Sequence, residues 1–146
     1  MRLADEAMGA VAPGRDDLRQ AGKKGGSHAR VLVVEDDTST RDTVMSALGD
    51  AGISCLGVPD GTAALAECQR RDPDVIVLDL ALPGLDGVRF ADAYRRIPGS
   101  QARIIVVSGT ERATETAARI RADAFFSKPF QLDALVSLTE RLLRAA

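Results

Sequence analysis

The chain has 146 residues, 45% of them hydrophobic and 27% charged, a length and balance that suit one core and leave no material for a second independent domain. No apolar run approaches the roughly 18 to 20 residues of a bilayer-spanning helix, so a transmembrane role is excluded. The 19 basic against 21 acidic side chains give a net charge of −2, which supplies no electrostatic footprint for direct binding to nucleic acid.

Residues 1–29 mix charges with Gly, Pro and Ala, five basic against four acidic, and lack a sustained period. They are expected to be a flexible leader without a core of their own, with at most a short helix over Leu3 to Met8. The folded domain is expected over 30–146. From Arg30 onward, short β-branched runs alternate with helical stretches. VLVVE (31–35), ISCLGV (53–58), VIVLD (75–79), RIIVVS (103–108) and AFFS (124–127) have the length and composition of strands. Most are nearly continuous in apolar residues, as strands covered on both faces should be. Helices are expected between and after them, over 40–51, 62–71, 88–96, 112–121 and 132–143. Gly52 should follow the first, Asp60 should cap the second with Pro73 stopping it, and Pro98-Gly99 should end the third. In the last, Leu132, Leu135, Leu138 and Leu142 recur at helical spacing, a stripe that packs on a core. Five βα units predict an α/β fold: a doubly wound, flavodoxin-like parallel sheet of order 2-1-3-4-5.

Ligands in such a sheet gather at the carboxyl ends of the strands, where the order reverses between the first and third. The first strand ends in Glu35-Asp36-Asp37, the third in Asp79, the fourth in Ser108-Gly109 and the fifth in Lys128-Pro129. Each has a local alternative: Asp37 could cap the first helix, Asp79 could open a turn, and Ser108 could cap the fourth helix. Together at one edge they imply more. Crowded carboxylates need a cation to stay ionised near neutral pH, and oxygen donors without thiolate or imidazole select a hard one such as Mg²⁺. Lysine is scarce: Lys23 and Lys24 lie in the leader and Lys128 is the third and last. The lysine retained in the domain falls at this edge, where a compact ammonium suits a phosphoryl group.

Other chemistries lack their residues. EDDTSTR follows the first strand, where a P-loop or dinucleotide fold would need GxxxxGK or GxGxxG. There is no GxSxG elbow, and His28, outside the expected fold, is no triad base. Two cysteines and one histidine cannot build a tetrahedral zinc site. Cys55 and Cys68 read as small buried hydrophobes of a reducing compartment, and with no secretory signal the expected location is the cytoplasm.

VLVVEDD, VIVLDLALPGLDG, VVSG and FFSKPFQLDAL, in that order and spacing over residues 30 to about 144, resemble the receiver domain of two-component response regulators. The resemblance implies a phosphoacceptor module with only self-catalysed chemistry, in which Asp79 takes a phosphoryl group from a histidine kinase or phosphotransfer protein. It further implies that Asp37 holds Mg²⁺ directly and Asp36 through water, with Asp79 and the Ala81 carbonyl as further ligands. Ser108 and Lys128 would contact the phosphoryl oxygens, helped by the Ala81 and Gly109 amides, and the Lys128–Pro129 bond would be cis. Ser108 and Phe125 would switch the face built from the fourth helix, fifth strand and fifth helix, the fourth helix carrying Arg112, Glu115, Arg119 and Arg121. Phe125 stands where many members have Tyr and so has no hydroxyl to donate. Ala81 and Thr110, at the positions that influence dephosphorylation in that family, cannot position an attacking water as an acid or amide would, so a long-lived phosphoryl state is expected. With no room for an output domain after the fifth helix, docking of a protein target is expected of a stand-alone receiver, unless the chain is a fragment. The downstream target, and whether phosphorylation drives dimerisation, stay open. A haloacid dehalogenase-type phosphotransferase is a competing class, opposed by Ala81 where that family carries a second Asp. An unphosphorylated receiver-fold scaffold is another.

Overall fold

The computed structural model describes residues 29–145; nearly all of the expected leader lies outside them. Ten elements alternate: β1 (Val31–Val34), α1 (Thr38–Asp50), β2 (Cys55–Val58), α2 (Gly61–Arg70), β3 (Val75–Asp79), α3 (Gly87–Arg95), β4 (Arg103–Ser108), α4 (Ala113–Arg119), β5 (Ala124–Ser127) and α5 (Leu132–Ala145). The five strands form one parallel sheet in the order β2-β1-β3-β4-β5, the expected flavodoxin-like topology. The register sets Val34 beside Leu78 and Asp79 beside Val107, so the ends of β1, β3 and β4 share one edge.

Successive side chains of a strand point to opposite faces, and both faces are covered. Leu32, Val34, Ile76, Leu78, Ile104 and Val106 pack with Phe90, Tyr94 and Ala117 of α3 and α4 on one side. Val31, Val33, Val75, Val77, Ile105 and Val107 pack with Val44, Leu48, Leu135 and Leu143 of α1 and α5 on the other. This two-sided burial explains why the strands lack polar alternation. Cys68 belongs to the first layer and Cys55 borders the second; both are free thiols, and burial pushes them up to about 12 and about 11 respectively. They behave as the small hydrophobes expected.

Helix boundaries follow their caps. Asp60 and Asp86 accept from Ala63 N and Arg89 N at 2.8 and 2.9 Å to start α2 and α3, which satisfies one otherwise orphaned amide each. Gly52, at φ 78°, closes α1 in the left-handed region, where a glycine costs least. Ile53 N then bonds back to Leu48 O at 2.9 Å, which draws Ile53 into the helix exit and delays β2 to Cys55. Ser108 does not cap α4. That helix starts at Ala113, behind Arg112, with no side-chain cap. No helix of the described residues is long and apolar enough to cross a membrane.

Candidate functional site

The end of β3 presents Asp79, a carboxylate almost wholly buried at 4% exposure. Its Oδ1 accepts from the Ala81 amide at 3.0 Å, and Lys128 Nζ donates to its Oδ2 at 3.3 Å. The same ammonium donates to Glu35 Oε1 at 2.8 Å, and Glu35 is as buried as Asp79. Lys128 therefore bridges β1 and β3 from the loop after β5. It is held there by its own amide, which donates to Ser108 O at 3.0 Å, and its peptide bond to Pro129 is cis.

One carboxylate oxygen from each of Glu35, Asp36 and Asp79 lies within 4.8 Å of the others. Asp37, the expected direct metal ligand, is not part of that group. Its Oδ2 instead accepts from Thr40 N at 2.8 Å and from Thr40 Oγ1 at 2.6 Å, making it the N-cap of α1. The physical reason is the early start of the helix. Once α1 begins at Thr38, the exposed amide of Thr40 captures the Asp37 side chain, and the acidic pair facing Asp79 moves back one residue to Glu35-Asp36. Glu35 is thus the residue the sequence reasoning missed. Asp37-Thr38-Ser39-Thr40 directly after a strand was the available signal, because an Asp there followed by polar residues is a helix start.

Electrostatics agree with the geometry. Burial pushes the Glu35 carboxyl above its ordinary value, and the Lys128 and Asp37 N–H hydrogen bonds only partly oppose this. For Lys128, burial favours loss of the proton, but the Glu35 hydrogen bond and the Asp79 charge outweigh it and hold the ammonium above its usual range. Pairing supports both charges; on the Glu35 side burial wins. Asp37 is held below the usual carboxylate value by its Thr40 side-chain and backbone hydrogen bonds. Three carboxylates against one ammonium leave excess negative charge, and the donor set is all oxygen. That combination fits a hard divalent cation such as Mg²⁺, which keeps several waters; exposed Asp36 forms the open side.

Of the other expected residues, Ser108 is fully buried, and its hydroxyl lies 3.3 Å from both Thr110 Oγ1 and Thr110 N. Gly109 is exposed, and a Cβ there would meet only Lys128 Cβ, at 3.6 Å. Phe125 is half-buried against the layer beneath α3 and α4, while Phe126 packs on the opposite layer near Phe130, with ring centroids 6.0 Å apart.

The family model described as the response regulator receiver domain matches residues 31–140. The chain belongs to this family. As a receiver domain it is a phosphoacceptor module of two-component signalling rather than a true enzyme. It is 33% identical over 117 residues to response regulator MprA of Mycobacterium leprae, covering 79% of this chain and 51% of that protein. It is 35% identical over 117 residues to the nitrogen assimilation regulatory protein NtrX of Azorhizobium caulinodans, covering 77% of this chain and 26% of that protein. The chain thus spans about half the length of the first of these curated relatives and about a quarter of the second. Among solved structures, the receiver domain of NtrX from Brucella abortus superposes with a TM-score of 0.71 at 33% identity, over 80% of this chain and 99% of that one. Chemotaxis response regulator CheY4 of Vibrio cholerae gives 0.71 at 28%, with the same two coverages. The acidic pocket of Glu35, Asp36 and Asp79 is consistent with a receiver-domain phosphorylation site.

Proposed function

We propose that this receiver domain is phosphorylated on Asp79, with Mg²⁺ held by Asp79, Asp36, the Ala81 carbonyl and, at the back of the pocket, Glu35. The observation that carries the reading is the bridge of Lys128 to both Glu35 and Asp79 at the edge where the sheet order reverses. The donor is a phosphohistidine of a sensor kinase or phosphotransfer protein in the cytoplasm. An Asp79 carboxylate oxygen forms the new P–O bond as the P–N bond to the donor breaks, and the donor imidazole takes up a proton. The cation, when bound, neutralises charge on the transferring group.

The chain's own residues do the positioning. The Ala81 amide and Lys128 engage the two oxygens of Asp79, so the nucleophile is oriented before the donor arrives. Lys128 supplies a positive charge to the phosphoryl oxygens, with the Ser108 hydroxyl and the Ala81 and Gly109 amides as further donors. Ser108, at present engaged by Thr110, and Phe125 would then relay the change to the α4-β5-α5 face, where a protein target or a second copy docks.

Incubation with Mg²⁺ and acetyl phosphate, followed by intact-mass measurement, is the test. The wild type should gain one phosphoryl group and Asp79→Asn none; an unmodified wild type, under conditions that label another receiver, overturns the reading. Ala81 and Thr110 have no carboxylate or amide to hold an attacking water, so the adduct should outlast a chase of minutes after the donor is removed. Loss within a few seconds contradicts that expectation.

A further inference from the structure

Beside the acidic cluster sits a guanidinium that bonds to the backbone there. Arg41, in the first turn of α1, donates from Nη1 to the carbonyl oxygen of Glu35 at 2.9 Å. To reach it, the aliphatic stem crosses β2 over Gly57: a Cβ at position 57 would lie 2.9 Å from Arg41 Cδ and 3.0 Å from Cγ, and would also run into Met45 Sδ. Gly57 is not among the positive-φ glycines. Its backbone needs no glycine, so the missing side chain serves as space for Arg41, as glycines inside strands do where another group passes close.

The bonded carbonyl belongs to the peptide that leads into Asp36. Peptide units are planar, so holding the Glu35 oxygen on one side, while the Glu35 amide donates to Val58 O at 3.1 Å, fixes both ends of the residue from which Asp36 departs. Asp36 itself is exposed, and no hydrogen bond or ion pair ties its carboxylate to another described residue. Its aim into the cluster therefore depends on the backbone beneath it.

We propose that Arg41, seated by Gly57, is a positioning residue for Asp36: it sets the plane of the Glu35–Asp36 peptide and hence the direction from which the Asp36 carboxylate meets a divalent cation. This rests on the reading of the cluster as a Mg²⁺ site. In this role Arg41 acts through the Glu35 carbonyl and needs no contact with the cation or the phosphoryl group. Its charge alone would weaken cation binding, so position and charge predict opposite results.

Mg²⁺ binding is titrated by the amide NMR shifts of Asp36 and Asp79 in wild type, Arg41→Lys, Gly57→Ala, Arg41→Ala and the Arg41→Ala/Gly57→Ala double variant. Arg41→Lys keeps the charge without the planar fork, and Gly57→Ala keeps Arg41 but displaces its stem. Both should bind Mg²⁺ roughly tenfold more weakly, the low end for losing a support behind a metal ligand. In the Arg41→Ala background, Gly57→Ala should have no further effect, as coupled residues require. Unchanged Mg²⁺ affinity in both Arg41→Lys and Gly57→Ala overturns the proposal, even if their melting temperatures fall, because that pattern marks a merely structural arginine. Tighter binding in Arg41→Ala with no change in Arg41→Lys overturns it in favour of charge alone. If the wild type binds no Mg²⁺, the site reading itself fails and takes the proposal with it, an outcome distinct from equal affinities across the series.

Discussion

Lys128→Met isolates the contribution of one ammonium, since methionine keeps most of the stem and removes the charge. In the wild type, Nζ lies 2.8 Å from Glu35 Oε1 and 3.3 Å from Asp79 Oδ2, and the two carboxylate side chains are only 4% and 6% exposed. Removing one partner of a fully buried pair costs about 3 to 5 kcal/mol. Here the lysine is 28% exposed and Asp36 leaves the pocket open to water, so a loss of about 2 kcal/mol is expected near neutral pH, or roughly 8 °C in Tm for a domain of this size. The pH dependence has a definite sign. Burial already raises the Glu35 carboxyl and Lys128 works against it; without the ammonium the folded-state value rises further. A group whose folded value is raised contributes stability that is complete below its unfolded value of 4.5 and is lost as pH rises through the folded value. The variant's deficit should therefore be smaller at about pH 5 than at about pH 7.5, and millimolar Mg²⁺ should recover part of it at the higher pH. Chemical denaturation of both proteins at the two pH values, with and without Mg²⁺, measures this directly. A deficit independent of both pH and Mg²⁺ would refute the electrostatic bridge and assign Lys128 to packing of its stem.

Two substitutions separate the scaffold from the site. Tyr94, fully buried, donates to Asp72 Oδ1 at 2.6 Å and accepts from Ala102 N at 2.7 Å. Tyr94→Phe leaves both groups without this partner and should cost about 2 to 3 kcal/mol, while acetyl phosphate labelling stays within about twofold because the network lies at the opposite edge of the sheet; a denaturation loss under about 0.5 kcal/mol would show that water replaces the hydroxyl. Gly87 begins α3 where a Cβ would stand 2.7 Å from Leu80 Cδ2, 2.9 Å from Leu80 Cα and 3.3 Å from Asp79 O. Since backbone is among those neighbours, Gly87→Ala should cost about 1 to 3 kcal/mol and slow labelling of Asp79 as the strand end shifts; normal labelling at normal stability would mean the β3-α3 loop yields freely.

The architecture was legible because its signals are local and repeat. Five apolar runs, each followed by a helical stretch with a cap or stop, allow few topologies once crossovers are right-handed, and the strand ends then name the site. What was legible only as an alternative, with Asp37 as a possible cap, is the register inside EDD. Three adjacent acids give no hydrophobic contrast, and the choice among them is made by the first turn of α1, where Thr40 N takes Asp37. Starting the helix at Thr40 released Asp37 to the site; starting it at Thr38 gives Asp37 a partner and turns Glu35 inward to Lys128. The role of Gly57 was hidden for a similar reason, since a glycine in a strand pattern does not reveal which side chain will lie across it.

The skew of the cations toward arginine follows from what each cation does. Arg30 donates to Asp74 Oδ2 and to the carbonyl of Leu143 near the end of α5. Arg41 holds the carbonyl of Glu35, and Arg95 reaches the carbonyls of Ile120 and Arg121 just past α4. These targets are separated oxygens of the backbone and its borders, which a planar group with several fixed donors spans, and cations at helix C-termini also oppose the helix dipole. Such a fork is suited to staying in place. At the end of β3 the requirement differs, because two buried carboxylates share one charge in a space that, on the proposed function, also admits a phosphoryl group. A compact ammonium on a flexible stem can serve both partners now and turn toward a third when it arrives. The near-absence of lysine from the domain and its presence at position 128 are thus two consequences of one division of labour: arginine fastens the frame, and lysine is kept where a charge has to move.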